Sequence, residues 1–299
     1  IFQMADEKNV DIHPHALRTL TRSLDLITDG LRANPQANRI FLETLTSRHN
    51  PEWALRMMNE AGVLGRFVPA FGHAVGLMQF NMYHHYTVDE HLIRAVGDVA
   101  SIERGEHRED NPLSTDVIKR IQSRAVLYCA ILLHDIAKGL PGDHSVVGAE
   151  IARELCPRLG LSPADTEAVA WLVKNHLVMS DTAQRRDLTD PQTVRDFVAQ
   201  VQTPEMLRVL LVLTVADIRA VGPGVWNGWK GQLLRELYHA AEQLMAGGDQ
   251  APARGARVEA AKAALAERLA DVPEEERALL LARHYDSYWL AFDTDEQER

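Results

Sequence analysis

Cysteine is scarce in this chain: Cys129 and Cys156 are the two among 299 residues, and both fall inside apolar helical patterns. No Cys spacing of the zinc kind exists, and a disulfide framework is excluded; two reduced core thiols point to a cytosolic protein. Long apolar runs are missing as well. Nothing approaches the ~18 consecutive apolar residues of a membrane span, and no secretory leader is evident, so no membrane partner is expected. Positive charge is in short supply, with 32 Lys and Arg against 42 Asp and Glu, a net charge of −10 and a pI near 5.7. That balance argues against a nucleic-acid surface, which needs clustered cations. Sustained strand-type alternation is nowhere found. What remains is 46% hydrophobic and 25% charged, ordinary globular composition in a length sufficient for one large helical domain or two smaller ones. The chain opens on Ile1, which reads as a fragment or a processed chain.

Against this background one stretch stands out, Ala130 to Ser145. The apolar run from Ala125 to Leu133 reads as a buried helix, and His134-Asp135 sits where it meets polar sequence. Lys138 follows one turn later on the face of His134. Gly139, Pro141 and Gly142 stop the helix, and Asp143, His144 and Ser145 open the next with N-cap chemistry. An imidazole beside a carboxylate at a buried helix end suits a divalent metal, although a lone His-Asp pair is more often a capped helix end.

The rest of the chain reads as helices. Residues 1–10 are expected to be disordered. Helical period from His13 to Ile27, around Ile40 to Leu45 and after Asn50-Pro51, then Gly- and Pro-rich turns down to Gly76, give a small subdomain without chemistry. Its His13, His15, His49 and His73 read as surface or packing residues. Thr87 with Glu90 reads as a capping box, and His91 stands at the start of the apolar helix that follows. Glu103 to Asn111 reads as a solvated connector with His107 exposed. Gly148 is expected to permit close packing. Ser162-Pro163 starts a helix that ends at His176, and Asp181 to Asp190 reads as a polar loop carrying Arg185 and Arg186. From Thr203-Pro204 an apolar helix runs to Asp217, and a carboxylate in such a run is costly unless paired, hydrogen-bonded or metal-bound. A long helix from Val225 to Met245 and a hairpin of Arg257–Leu269 with Glu274–Leu290 follow. The acidic end, Asp293 to Arg299, reads as the start of a linker.

His91, His134-Asp135, His144, His176 and Asp217 thus lie at the ends of five separate elements. Each alone has a structural explanation. Together, in a helical chain without a Cys site, they ask for one polar centre in the core. Histidine and carboxylate ligands suit manganese, iron, zinc or magnesium, and the sequence does not choose among these. Two ions fit the ligand count, with Asp135 as bridge, His91 and Asp217 completing one ion and His144 and His176 serving the other.

The order His, His-Asp, Asp resembles the HD metal-dependent phosphohydrolase superfamily, with His134-Asp135 and Lys138 as its central motif. The segments Met78 to His84, Tyr86 to His91, Leu133 to Ser145, Leu177 to Asp190 and Thr214 to Trp229 resemble the bifunctional uridylyltransferase/uridylyl-removing enzymes of bacterial nitrogen regulation, a likeness covering roughly Leu17 to Gly248. The resemblance implies an all-α fold, an HD-domain helical bundle with a flanking helical linker subdomain. It implies a linker subdomain at 1–78, an HD domain at 79–248 and a C-terminal hairpin at 249–299 leading towards ACT domains. The family's Gly-Ser and Asp-x-Asp nucleotidyltransferase signature is not found, nor are its ACT domains.

The reaction implied is hydrolysis of the phosphodiester joining UMP to a tyrosine of the PII signal protein, using divalent ions, most simply two, with manganese or magnesium preferred. Such ions lower the pKa of water and hold the attacking and bridging oxygens. Asp135 and Lys138 are the implied catalytic residues, Lys138 near a non-bridging oxygen. Arg185 and Arg186 are candidates for contact with phosphate or an acidic partner, and His84, His85 and Trp226 for lining the cleft. Two other readings stay open: an HD hydrolase of a free nucleotide, and a metal-binding regulatory module with little activity of its own.

Overall fold

Five helix starts in this chain share one device, a short polar side chain followed by proline. Asn34, Asn50, Asn111, Ser162 and Asp190 each accept a hydrogen bond from a backbone N–H of the first turn, with Pro35, Pro51, Pro112, Pro163 and Pro191 behind them. The cap satisfies an orphan donor, and proline occupies the one place where its missing N–H costs nothing. The computed structural model describes residues 1–78, 85–247, 254–270, 272–284, 288, 289 and 294. Gln79 to His84, Gly248, and much of the expected stretch from Ala282 to Arg299 lie outside the described residues.

Among the described residues the regular structure is all helical, with no strand. The first part holds α1 (Phe2–Lys8), α2 (Pro14–Arg22), α3 (Asp29–Arg32), α4 (Pro35–Leu45), α5 (Pro51–Glu60), α6 (Val63–Phe67) and α7 (Pro69–Ala74). Then come α8 (Val88–Arg104), α9 (Pro112–Val117), α10 (Arg124–Leu133), α11 (His144–Arg158), α12 (Pro163–Lys174) and α13 (Val178–Arg185). The chain continues with α14 (Pro191–Val201), α15 (Pro204–Ala220), α16 (Gly228–Met245), α17 (Arg254–Arg268) and α18 (Glu274–Ala282). No described helix is long and apolar enough to cross a membrane.

The helices form two compact units, each discontinuous in sequence: Ile1–Met179 with Arg208–Asn227, and Ser180–Leu207 with Gly228–Arg299. In the first, α10 is the axis. Every residue from Val126 to Leu133 is buried, as an all-apolar helix requires. It packs against α8, α12, α11 and α4, while α5 joins α8 to α1 and α4. In the second unit α14 packs on α16, and α17 with α18 surrounds a small core of Val258, Leu265 and Trp289.

Local expectations fail where distant residues intervene. Residues 1–10 are ordered: α1 buries Phe2, Ala5 and Asp6, and Asp6 accepts from Ser47 Oγ and, at 2.8 Å, from the N–H of Asn50. The Thr87 N-cap stands but makes no side-chain cap bond, and Glu90 turns to Arg56 and Arg94 rather than back to Thr87. The region 181–190 is no simple loop, since α13 takes up its first half. The turns before Gly76 contain α6 and α7.

Two glycines fix the approach of helices around the axis. Gly139 holds φ +83° where the chain leaves α10, and a Cβ there would meet Leu77 Cδ2 at 2.6 Å. Gly148 brings α11 against α12, its Cβ position 2.9 Å from Val173 Cγ1. Gly148→Val therefore overpacks the α11–α12 contact, and the expected loss is about 1–3 kcal/mol. Urea denaturation checks this beside Gly228→Ala, a position with open space around it. An unchanged midpoint for Gly148→Val rejects the close-approach role.

Candidate metal centre

Each functional side chain stands at a helix end or in the first turn. His91 is in the first turn of α8, His134 follows α10 directly, His144 is the first residue of α11, and His176 lies two residues after α12. Asp217 differs, sitting within the last turn of α15. After His134 the chain tightens through bonds from the N–H of Ile136 to Leu133 and of Lys138 to Asp135, which swing Asp135 and Lys138 into one corner. Asp143 accepts from the N–H groups of Ser145 and Val146, fixing the start of α11 and with it His144.

The structure brings all six predicted ligands together in the first unit. His91 Nε2 lies 3.1 Å from His134 Nε2 and 3.2 Å from Asp217 Oδ1, and His134 Nε2 is 3.4 Å from the same oxygen. Asp135 presents Oδ2 to this group, at 3.6 Å from His91 and 3.4 Å from His134. Its other oxygen, Oδ1, faces His144 Nε2 at 3.5 Å and His176 Nε2 at 3.6 Å. Ligand atoms held about 2.1 Å from one ion stand about 3.0 Å apart along an octahedral edge and about 3.4 Å along a tetrahedral one. The observed spacings fall close to those values in both groups. Asp135 Oδ1 is also buried with no hydrogen-bond partner, the mark of an acceptor facing a cation. The donor set and its spacing therefore fit divalent metal.

The imidazoles are aimed by their far sides. Nδ1 of His134 lies 2.8 Å from the carbonyl of Ile131, and Nδ1 of His176 lies 2.7 Å from that of Val173. A carbonyl only accepts, so both Nδ1 atoms carry the hydrogen and Nε2 of the neutral ring offers its lone pair inward. Without an ion, the charges around His134 favour its protonated form instead. Burial alone would push the His134 pKa down, but Asp135 and Asp217 outweigh it and raise it to about 10. Both carboxyls are correspondingly held below the usual carboxylate range, His134 prevailing over burial. His176 is instead pulled down by burial and by His134, which keeps its ring neutral. Two buried carboxylates thus draw one positive charge to their midst, and metal binding would exchange that proton for an ion.

Lys138 Nζ lies 2.5 Å from Asp135 Oδ2. With His144 31%, Lys138 20% and Asp217 16% exposed, these three form the open edge of a centre whose other members are buried.

The remaining candidates fall elsewhere. Arg185, 77% exposed, pairs with Asp181 at 3.3 Å, and Arg186 is exposed; both belong to the second unit. His85 is exposed and bonds through its N–H to Val221, while His84 lies outside the described residues. His13, His15, His49 and His73 are exposed.

Sequence reasoning passed over a charge cluster behind Asp217. Arg219 reaches Asp98 at 3.4 Å, Asp110 at 2.5 Å and His107 Nδ1 at 2.8 Å, with the Trp226 ring 5.9 Å away. It ties α15, two residues past Asp217, to α8, seven residues past His91. His107, expected to be exposed, is instead half-buried in this cluster. The detectable signal was spacing, Asp98 lying two turns after His91 and Arg219 two residues after Asp217.

Two family models match the chain, "Uridylyltransferase GlnD third domain" over residues 1–67 and "HD domain" over residues 88–221. The "Bifunctional uridylyltransferase/uridylyl-removing enzyme" of Azospirillum brasilense is 57% identical over 295 residues, 99% of this chain and 32% of that protein. The chain resembles the uridylyltransferase/uridylyl-removing enzymes over nearly its whole length. It spans about a third of the length of that relative. The HD-domain match contains His91, His134, Asp135, His144, His176 and Asp217, so the centre lies wholly inside the part common to HD proteins, which are metal-dependent.

The Asp98 carboxyl yields a pH prediction. Burial raises its pKa to about 6, aided by Glu52 and opposed by Arg219 and Arg94; His107 also faces it. The folded state then binds this proton more tightly than the unfolded chain, so ionising Asp98 lowers stability as pH rises from about 4 to about 6. Asp98→Asn removes that cost. Its stability relative to the parent should rise across this window and level off above it, as denaturant midpoints at several pH values will show. A flat or falling difference rejects the raised pKa.

Proposed function

We propose that this chain is a metal-dependent phosphodiesterase that removes UMP from a uridylylated tyrosine of the PII signal protein. The observation that carries the reading is the Asp135 carboxylate, one oxygen turned to His91 and His134 and the other to His144 and His176. Similarity to an enzyme named for uridylyl removal suggests the substrate.

On this reading His91, His134, Asp217 and one oxygen of Asp135 would hold one divalent ion, and His144, His176 and the other Asp135 oxygen would hold a second. Manganese or magnesium is the preferred metal, and the His-carboxylate set also admits iron or zinc. Bound ions supply an activated water and neutralise phosphoryl charge. The chain's own residues do the rest. Asp135 fixes the spacing of the two ligand groups, and Ile131 and Val173 hold the His134 and His176 rings through their carbonyls. Lys138, on the open edge against Asp135, reaches a non-bridging phosphoryl oxygen and stabilises the charge that gathers there. A tyrosine leaving group, with an ordinary pKa of about 10, departs without a strong general acid. Residues 1–78 serve as the helical linker, 79–248 as the HD domain and 249–299 as the hairpin beyond it.

Asp135→Ala should lower UMP release from uridylylated PII by about a thousandfold, equivalent to about 4 kcal/mol of barrier, with the melting transition retained. The assay runs with manganese, beside free nucleotides and bis-p-nitrophenyl phosphate. Near-normal turnover in a folded mutant sinks the assignment, and preference for a free nucleotide replaces the substrate while keeping the centre.

The two-ion arrangement has its own test in His176→Ala. Metal content measured after manganese loading and desalting should fall from two ions per chain to one. Two ions retained in the variant, or one in the parent, rejects the shared-carboxylate model.

A further inference from the structure

Far from the histidine centre, a cavity of about 760 Å³ opens between the start of α4, the start of α10 and the end of α11, all in the first unit. In a chain of net charge −10, its lining inverts the sign: Arg39, Arg124 and Arg158 face one carboxylate, Glu43. The three guanidinium groups are not equally engaged. Arg124 is fully committed, with Nε and Nη2 on Glu103 at 2.6 and 2.7 Å and Nη1 on the carbonyl of Thr46 at 2.8 Å. Arg39 pairs loosely with Glu43 at 3.4 Å and is 65% exposed.

Arg158 is different. No carboxylate pairs with it among the described residues; Nη2 donates to the carbonyl of Phe67 at 2.9 Å, and the Phe67 ring lies 5.2 Å away. Its Nε is buried with no hydrogen-bond partner. Leaving a buried donor unpaired is costly, and the protein alone does not satisfy this guanidinium. Burial and the neighbouring Arg32 hold its pKa below the ordinary value, the direction expected of a cation without a counter-ion.

We propose that this cavity binds a small phosphate-bearing molecule, its phosphoryl group on Arg158 and Arg39 and its organic body on the apolar floor of Leu42, Ala125 and Leu159. The guanidinium fork matches phosphate oxygens in pairs. The volume lies in the range of about 300–1,000 Å³ usual for small-molecule sites. The location adds a consequence, because α10 begins here and ends at His134, while α11 begins at His144 and ends here. A ligand in the cavity grips the far ends of the two helices that carry the centre.

The test is calorimetric titration of the whole chain in EDTA with AMP and, separately, with inorganic phosphate. One saturable site is expected for at least one of the two. Arg158→Met should weaken that binding at least tenfold and Arg39→Met measurably, whereas Asp135→Ala, in the histidine centre, should leave it unchanged. Tighter binding of AMP identifies an organic phosphate as the ligand class, and equal binding identifies the phosphate ion itself. Should Arg158→Met fail to fold, the exposed Arg39 decides alone. No saturable binding of either probe, unchanged affinity in the folded arginine variants, or loss of binding in Asp135→Ala overturns the proposal.

Discussion

The constraint on which the first unit depends is the burial of two carboxylates in a helical core. Asp135 and Asp217 face one another across His134, and neither could stay ionised there without positive charge close by. Apart from Lys138 at the open edge, the surroundings answer with imidazoles rather than arginines. Arginine would fill the space permanently, whereas an imidazolium can release its Nε2 proton and, once neutral, offer that lone pair to an ion. The core thus gathers a His and Asp set suited to a cation, and Asp135 Oδ1, buried without a hydrogen-bond partner among the described residues, is an acceptor turned towards it.

Helix ends are where this chemistry is affordable to the backbone. An imidazole just past α10 or α12 has a spare carbonyl within reach, because the last turn of a helix leaves its carbonyls unsatisfied. The same bond caps the helix and fixes the tautomer. Asp143 does the reciprocal task at the start of α11. Ligand placement and helix termination are thus one event at His134, His144 and His176. Asp217 lacks such a terminus, and its helix is held instead through Arg219 to Asp98 and Asp110.

Much of this was legible because it is local. His134, His144 and His176 stand where apolar periodicity meets Gly, Pro or a capping side chain, and the Asn-Pro and Ser-Pro starts mark their helices without tertiary knowledge. The all-helical class follows from the same periodicity, and the family from the motifs around His91, Leu133 to Ser145 and Thr214 to Trp229. What escaped depends on contacts distant in sequence. α1 is too short to show a period, and its Asp6 is fixed by Ser47 and Asn50. His107 sits in sequence that reads as solvated, yet Arg219, more than a hundred residues on, draws it inward. Glu90 has the right spacing for a capping box, but Arg56 and Arg94 compete for it and win.

The sequence discontinuity of the first unit bears on how the molecule is made. Ile1–Met179 belongs with Arg208–Asn227, so a ribosome releases five of the six centre residues well before Asp217. At about 5–20 residues per second the interval lasts a few seconds. During it α8 and α10 have no α15 to meet, the apolar run Leu207 to Ala216 is still unmade, and His91 and His134 lack one carboxylate. The last turn of α15 then brings both Asp217 and the Arg219 anchor at once. Closing the core and completing the buried His and Asp group are the same late step of biosynthesis, so a chain halted before residue 217 holds neither.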